Sequence, residues 1–231
     1  MNHSKIIVAL DYPETKQALE IAKSLSPAHC RIKIGKELFT IGGPQFVEKI
    51  HNLGFDVFLD LKFHDIPNTV AAACRVASNL GVWMVNVHAL GGRRMMEAAR
   101  DAVINSTHKT KLIAVTILTS HSDSDLDEIG LSGSAEENVL RLAKLASEAE
   151  LDGVVCSAHE ASLLKEKIST DFVLVTPGIR PIWSVKGDQS RIMTPSDAIL
   201  AGSDYLVIGR PITASDDPHA ALLKITKELE D

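Results

Sequence analysis

Eight short aliphatic runs recur along the chain, each followed by a segment whose composition changes, and this alternation constrains the fold more than any other feature. The runs are IIVAL (6–10), RIKIG (31–35), VFLDL (57–61), MVNVH (84–88), LIAVTIL (112–118), GVVCS (153–157), FVLVT (172–176) and YLVIG (205–209). Short Val, Ile and Leu runs suit strands covered on both faces, as in a parallel sheet. Between them, ETKQALEIAKSL, VAAACRVASNL, RRMMEAARDAV and AEENVLRLAKLASEAE repeat apolar residues at three and four, the period of an amphipathic helix, and PHAALLKITKELE adds a final one. Strand and helix in strict turn define parallel βα units.

Eight units without a low-complexity linker predict one domain over residues 1–231, an α/β protein of the (β/α)8 TIM-barrel class. An open doubly wound sheet is the alternative. It is disfavoured because no GxGxxG turn follows the first run. Aromatic residues are only 4% of the chain, so the core must be aliphatic.

A net charge of −6 argues against a broad nucleic-acid surface, so an anionic ligand would need a local site. The three cysteines, Cys30, Cys74 and Cys156, have no CxxC spacing, which points to neither a disulfide framework nor a zinc site. The first residues lack the apolar core of a signal peptide, and no stretch has the length of a membrane span. A cytoplasmic protein with no membrane contact is therefore expected.

Barrel active sites collect at the C-terminal strand ends, which directs attention to the polar residues there. Asp11 follows the first run, Lys33 lies within the second, Asp60 and Lys62 end the third, and His88 ends the fourth. Thr119, Ser157, Arg180 and Arg210 follow or end the remaining four. Loop-entrance polarity alone accounts for Thr119, Ser157 and His88, but fits the acid and lysine cluster poorly.

Asp60 and Lys62 are two apart, so strand geometry projects both from one face and Leu59 and Leu61 from the other. With helices over the leucines, the charged pair points into the barrel mouth. The same parity places Arg31, Lys33 and Gly35 together. Asp65 follows in HDIPNT, beside Pro67, where a helix would open. A structural ion pair and a helix-end carboxylate are the plainer readings of these residues. An alternating network of Lys33, Asp60, Lys62 and Asp65 is the functional one, since buried charges need compensation.

The last two strand ends carry phosphate chemistry. TPGIRP (176–181) offers Pro177, Gly178 and Arg180, and IGRP (208–211) offers Gly209 and Arg210. Barrels commonly bind phosphate in these two loops, and arginine can grip two phosphate oxygens at once. The polar, glycine-containing stretch 182–191 is expected to act as a mobile lid.

FLDLKFHDIPNT holds a D-x-K-x-x-D motif and resembles bacterial members of the orotidine 5′-phosphate decarboxylase family. The resemblance extends through VALDYP, RIKIGKELFT, GVWMVNVHA, IAVTILTS, LDGVVCSA, VTPGIRP, GDQSRIMTP and YLVIGRPIT, and so covers all eight strands. It implies conversion of orotidine 5′-monophosphate to uridine 5′-monophosphate and carbon dioxide, the last step of de novo pyrimidine biosynthesis, without cofactor or metal. It further implies Lys62 as proton donor, Asp60 beside the substrate carboxylate, and Asp11 and Lys33 on the ribose hydroxyls. Asp65 and Thr69 would reach the neighbouring active site of a homodimer. Ser157 would meet the pyrimidine edge and Thr119 lie near the ligand, while Gln189, Gly209, Arg210 and the Pro177–Arg180 loop would hold phosphate. No chemical role attaches to His64 or His88.

Two other readings share parts of this pattern. A related magnesium-dependent sugar-phosphate decarboxylase carries the same motif, but by resemblance offers an acid where this chain has Lys33. A non-catalytic phosphate-binding barrel would have no need of two lysines interleaved with two acids.

Overall fold

A computed structural model describes residues 4–184 and 193–230. Its first half runs β1 (Ile6–Leu10), α1 (Thr15–Ser24), β2 (Arg31–Gly35), α2 (Lys36–Asn52), β3 (Val57–Phe63), α3 (Pro67–Asn79), β4 (Met84–His88) and α4 (Arg93–Ile104). The second half runs β5 (Lys111–Val115), α5 (Asp123–Glu128), α6 (Ala135–Glu148), β6 (Gly153–Val155), α7 (Ala161–Lys167), β7 (Val173–Thr176), α8 (Pro195–Leu200), β8 (Tyr205–Ile208), α9 (Arg210–Thr213) and α10 (Pro218–Glu228).

The eight strands close in sequence order into a parallel barrel, sealed by pairing of β1 with β8 through Ile6↔Leu206, Ile7↔Val207 and Val8↔Ile208. This is the (β/α)8 architecture predicted from the alternating runs. The helix α2 was not anticipated. Its sequence carries Gly42, Gly43 and Pro44, and the helix kinks at Gly43, where φ is 56°. A glycine–proline break reads as a loop in sequence because proline cannot continue the hydrogen-bond ladder of the preceding turn. β5 also ends at Val115, three residues before its aliphatic run does.

Strand parity divides the core into two layers. Ile6, Val8, Leu10, Ile32, Ile34, Val57, Leu59, Val85 and Val87 face the helices in a continuous aliphatic shell. Ile7, Phe58, Met84, Ile113 and Val175 meet inside the barrel, with Trp83 and Tyr205 at its floor. Arg31 is buried here, its guanidinium 4.2 Å from the Trp83 ring centre and 3.2 Å from Asp56. It shares a face with Lys33 as expected, but serves the closed N-terminal end of the barrel. Apart from this Arg31–Asp56 pair at the floor, aliphatic and aromatic residues fill the lower interior, and Lys33 and Asp60 lie towards the upper end.

One glycine is dictated by close approach. A Cβ added at Gly153 would lie 2.0 Å from the Val173 carbonyl oxygen, so β6 and β7 leave no space there for a side chain. Helix starts follow local chemistry: Ser134 caps α6 in a reciprocal box with Glu137, and Pro67 occupies the first turn of α3.

Candidate active site

Three adjacent strands supply a chain of alternating charge at the open end of the barrel. The Lys33 Nζ lies 3.2 Å from Asp11 Oδ1 and 3.4 Å from Asp60 Oδ2, while Lys62 Nζ lies 2.6 Å from Asp60 Oδ1. The order is thus Asp11, Lys33, Asp60, Lys62. Gly35 makes room for it: a Cβ there would meet Lys33 Nζ at 3.3 Å and Asp11 Oδ1 at 3.4 Å.

Burial and pairing compete within this array. Desolvation alone would push the Asp60 carboxyl up, but the Lys33 and Lys62 ammoniums, with hydrogen bonds from Lys62 and Asn86, hold it below the usual carboxylate range. Burial likewise works against the charge on Lys33. Asp60 and Asp11 outweigh it and keep that ammonium above the ordinary lysine value. Both groups are therefore charged at neutral pH.

Lys62 reaches Asp60 by a route that simple strand alternation does not describe. Its φ is 52°, in the left-handed region, and the β3–β4 register shifts between Leu59 and Phe63. For an L-residue such a conformation costs about 1–2 kcal/mol. The Lys62 N–H donates to the side-chain oxygen of Asn86 at 2.8 Å. Asn86, fully buried on the inner face of β4, also donates through Nδ2 to Asp60 Oδ1 at 2.7 Å. Asn86 was missed in the sequence. Its signal was available, because a polar side chain at the centre of a buried strand requires hydrogen-bond partners.

Asp65 stands apart from the four charges within its own chain. It is exposed, its Oδ1 accepts the Ile66 N–H at 2.6 Å, and it joins none of the ion pairs among the described residues. Thr69 is exposed on the first turn of α3. Ile66, next to Asp65 in the chain, is 66% exposed, and Leu90, in the turn after β4, is 41% exposed. His64 is exposed, and its ring centre lies 5.7 Å from that of His88. Burial, with the nearby charges of His64, Lys36 and Lys62, pushes the His88 imidazole down to about 4 against the opposing pull of Asp60, leaving it neutral at pH 7.

Round the same mouth, on the strands that close the barrel against β1, Arg180 follows β7 and Arg210 opens α9 after β8. The Arg180 guanidinium is pushed down by burial and further by the like charge of Arg210, which places two cations within mutual influence. Its Nε is buried without a hydrogen-bond partner among the described residues. Gly178, two residues before Arg180, takes φ 79°, a conformation that favours glycine, and is buried. Pro177 and Gly209 are half-buried at the same strand ends, and Thr119 is half-buried in the turn after β5.

Ser157 is buried, and its Oγ accepts the His159 N–H at 3.4 Å while its own N–H donates to Glu160 Oε2 at 2.6 Å. It therefore caps the short turn leading into α7, a local role that the sequence did not suggest. Gln189, and residues 185–191 of the lid expected over 182–191, lie outside the described residues.

The sequence profile of the orotidine 5′-phosphate decarboxylase / HUMPS family matches residues 4–225. The chain belongs to that family. Among its members it is similar to the orotidine 5′-phosphate decarboxylase of Hydrogenovibrio crunogenus, with 61% identity over 225 residues, 97% of this chain and 95% of that protein. It is 57% identical over 229 residues to the corresponding protein of Alkalilimnicola ehrlichii, covering 99% and 97% of the two chains. Among solved structures, the orotidine 5′-phosphate decarboxylase of Lactobacillus acidophilus superposes with a TM-score of 0.88 at 41% identity, over 99% of this chain and 100% of that one. The family likeness spans both halves of the site, the charged array on β1 to β3 and the arginine loops after β7 and β8.

Proposed function

We propose that this chain decarboxylates orotidine 5′-monophosphate to uridine 5′-monophosphate and carbon dioxide, the closing step of uridine nucleotide synthesis, in the cytoplasm. The observation that carries this reading is the placement of Lys33 between Asp11 and Asp60, with Lys62 on the far oxygen of Asp60.

The reaction breaks the bond between C6 of the pyrimidine and its carboxylate, and the electron pair remains on C6. No adjacent carbonyl is positioned to absorb it, so stabilisation must come from charge held in place. The Lys62 ammonium provides that charge, interacting most strongly as the carbanion develops, and then transfers a proton to C6. Asp60 lies beside the departing carboxylate. Two unit charges about 4 Å apart repel by roughly 4 kcal/mol at an effective dielectric near 20, a repulsion relieved as carbon dioxide leaves.

Binding is divided among the remaining residues. Asp11 and Lys33 hold the ribose hydroxyls, Ser157 and Thr119 border the pyrimidine, and Arg180, Arg210, Gly209 and Pro177 hold the phosphate with Gln189. The position of Arg180 and Arg210 just after the adjacent, paired strands β7 and β8 supports the phosphate assignment, because two guanidiniums at neighbouring strand ends favour an anion there. Phosphate contacts remote from C6 contribute to rate by fixing the pyrimidine against Lys62.

The functional unit in this reading is a homodimer in which Asp65 and Thr69 enter the partner's site. Their exposure, together with that of Ile66, supports a covered surface at the start of α3. A magnesium-dependent sugar-phosphate reaction is the competing assignment within this family, and Lys33 speaks against it. Its ammonium already bridges the two carboxylates that a divalent ion would need.

Loss of orotidine 5′-monophosphate absorbance on adding the protein, with and without EDTA, tests the proposal. Rapid loss unaffected by EDTA is expected. No loss with folded protein, or loss abolished by EDTA, would refute it.

A further inference from the structure

Asn86 has two hydrogen bonds that tie separate parts of the charged array together. Its Oδ1 accepts the Lys62 N–H at 2.8 Å, and its Nδ2 donates to Asp60 Oδ1 at 2.7 Å. That carboxylate oxygen is the same one that Lys62 Nζ contacts at 2.6 Å. One buried amide on β4 therefore fixes both ends of the Asp60–Lys62 pair, backbone at one end and carboxylate at the other.

The backbone contact matters because β3 leaves its ladder here. Register with β4 is lost between Leu59 and Phe63, and Lys62 takes a left-handed φ of 52°. Left-handed lysine is intrinsically unfavourable, and a buried N–H without an acceptor would add a further penalty. The Asn86 side chain supplies the missing acceptor at the point where the strand bends. At the same time its amide donor satisfies Asp60 and restricts rotation of the carboxylate.

We infer that Asn86 is a positioning residue for the decarboxylation, holding Lys62 and Asp60 in the relative geometry the reaction uses without itself touching the reacting atoms. The inference rests on the proposed roles of Lys62 and Asp60. Residues of this kind affect rate through geometry, since a displacement of about 1 Å can reduce turnover by about 10²-fold.

Two substitutions separate positioning from simple support of the fold. Asn86→Leu keeps the branched outline with somewhat greater bulk and removes both hydrogen bonds. Asn86→Asp keeps an acceptor for the Lys62 N–H, and when its new carboxyl is protonated it also retains a donor for Asp60. When ionised, it instead places a second carboxylate against Asp60. The measurements are kcat across pH and affinity for uridine 5′-monophosphate, with Lys62→Ala as the companion variant.

We expect Asn86→Leu to lose about tenfold or more in kcat while its affinity for uridine 5′-monophosphate stays within about threefold. Asn86→Asp should be similarly slow at neutral pH and recover as the pH falls, whereas Asn86→Leu should not. Wild-type kcat in Asn86→Leu, parallel loss of product affinity, or a pH profile of Asn86→Asp without recovery would overturn the inference. Should Lys62→Ala itself turn over like wild type, the assignment of Lys62 fails and the inference falls with it. Loss in Lys62→Ala alongside full turnover in Asn86→Leu removes the inference alone.

Discussion

The Lys62 ammonium meets Asp60 Oδ1 at 2.6 Å, although Lys62 departs from strand geometry with a φ of 52°. The strained backbone and the ion pair occur at one residue. Asp60 is held ionised beside two lysines, so acid and base partners coexist in a space that is 11% exposed at Asp60 and 10% exposed at Lys33. Such a site is organised before a substrate enters, which is the condition for electrostatic stabilisation of developing charge.

The phosphate assignment predicts a selective binding defect. Arg210→Ala should weaken uridine 5′-monophosphate by roughly 1.5–3 kcal/mol, the range for a hydrogen bond to a charged group, and leave the much weaker binding of uridine unchanged. Titration calorimetry with both ligands checks this. Equal loss for nucleotide and nucleoside would move Arg210 out of the phosphate site.

Subunit sharing predicts complementation. Lys62→Ala and Asp65→Ala should each be inactive alone. Mixed, they should recover up to about a quarter of wild-type activity, because random exchange makes about half of the dimers mixed and each mixed dimer keeps one of its two shared sites intact. Absence of recovery in demonstrated mixed dimers would place Asp65 in its own chain's site.

His88 should make the fold sensitive to mild acid. In the unfolded chain its imidazole takes a proton at its ordinary 6.5, while in the folded chain it resists until about 4. Between those values the unfolded state binds more protons, so this contribution to stability is intact above 6.5 and is lost as the pH falls towards 4. Thermal melts of wild type and His88→Gln from pH 7 downwards should show a smaller loss of Tm in the variant. Parallel curves would contradict the assignment.

Gly153 provides a test of the barrel itself. Gly153→Ala forces a Cβ to 2.0 Å from the Val173 carbonyl, and backbone cannot yield as a side-chain tip can. Destabilisation of roughly 1–3 kcal/mol or more is expected in urea unfolding, with an unchanged m-value. A wild-type midpoint would show that β6 and β7 can separate without penalty.

The sequence carried the barrel because aliphatic runs and helical periods alternate so regularly, and parity alone brought Lys33, Asp60 and Lys62 to one mouth. It concealed what depends on departures from regularity. Strand alternation correctly placed Lys62 on the side of Asp60 but gave no sign of the left-handed turn that delivers it. The Gly42–Gly43–Pro44 stretch hid a kinked helix, since each residue taken alone argues for a loop. The capping role of Ser157 was hidden because its partners Glu160 and His159 lie just beyond the run being read. Asn86 was legible in principle from its place in MVNVH between Met84 and His88. Its partners were not, because they lie on another strand.

The most direct test of the charged array is the behaviour of Lys62→Ala towards substrate and product. Its kcat on orotidine 5′-monophosphate should fall by at least about 10³-fold, combining the loss of a proton donor with the loss of a charge aimed at C6. Affinity for uridine 5′-monophosphate should persist, since the arginine loops are untouched. Turnover close to wild type in that variant would contradict the account at its centre.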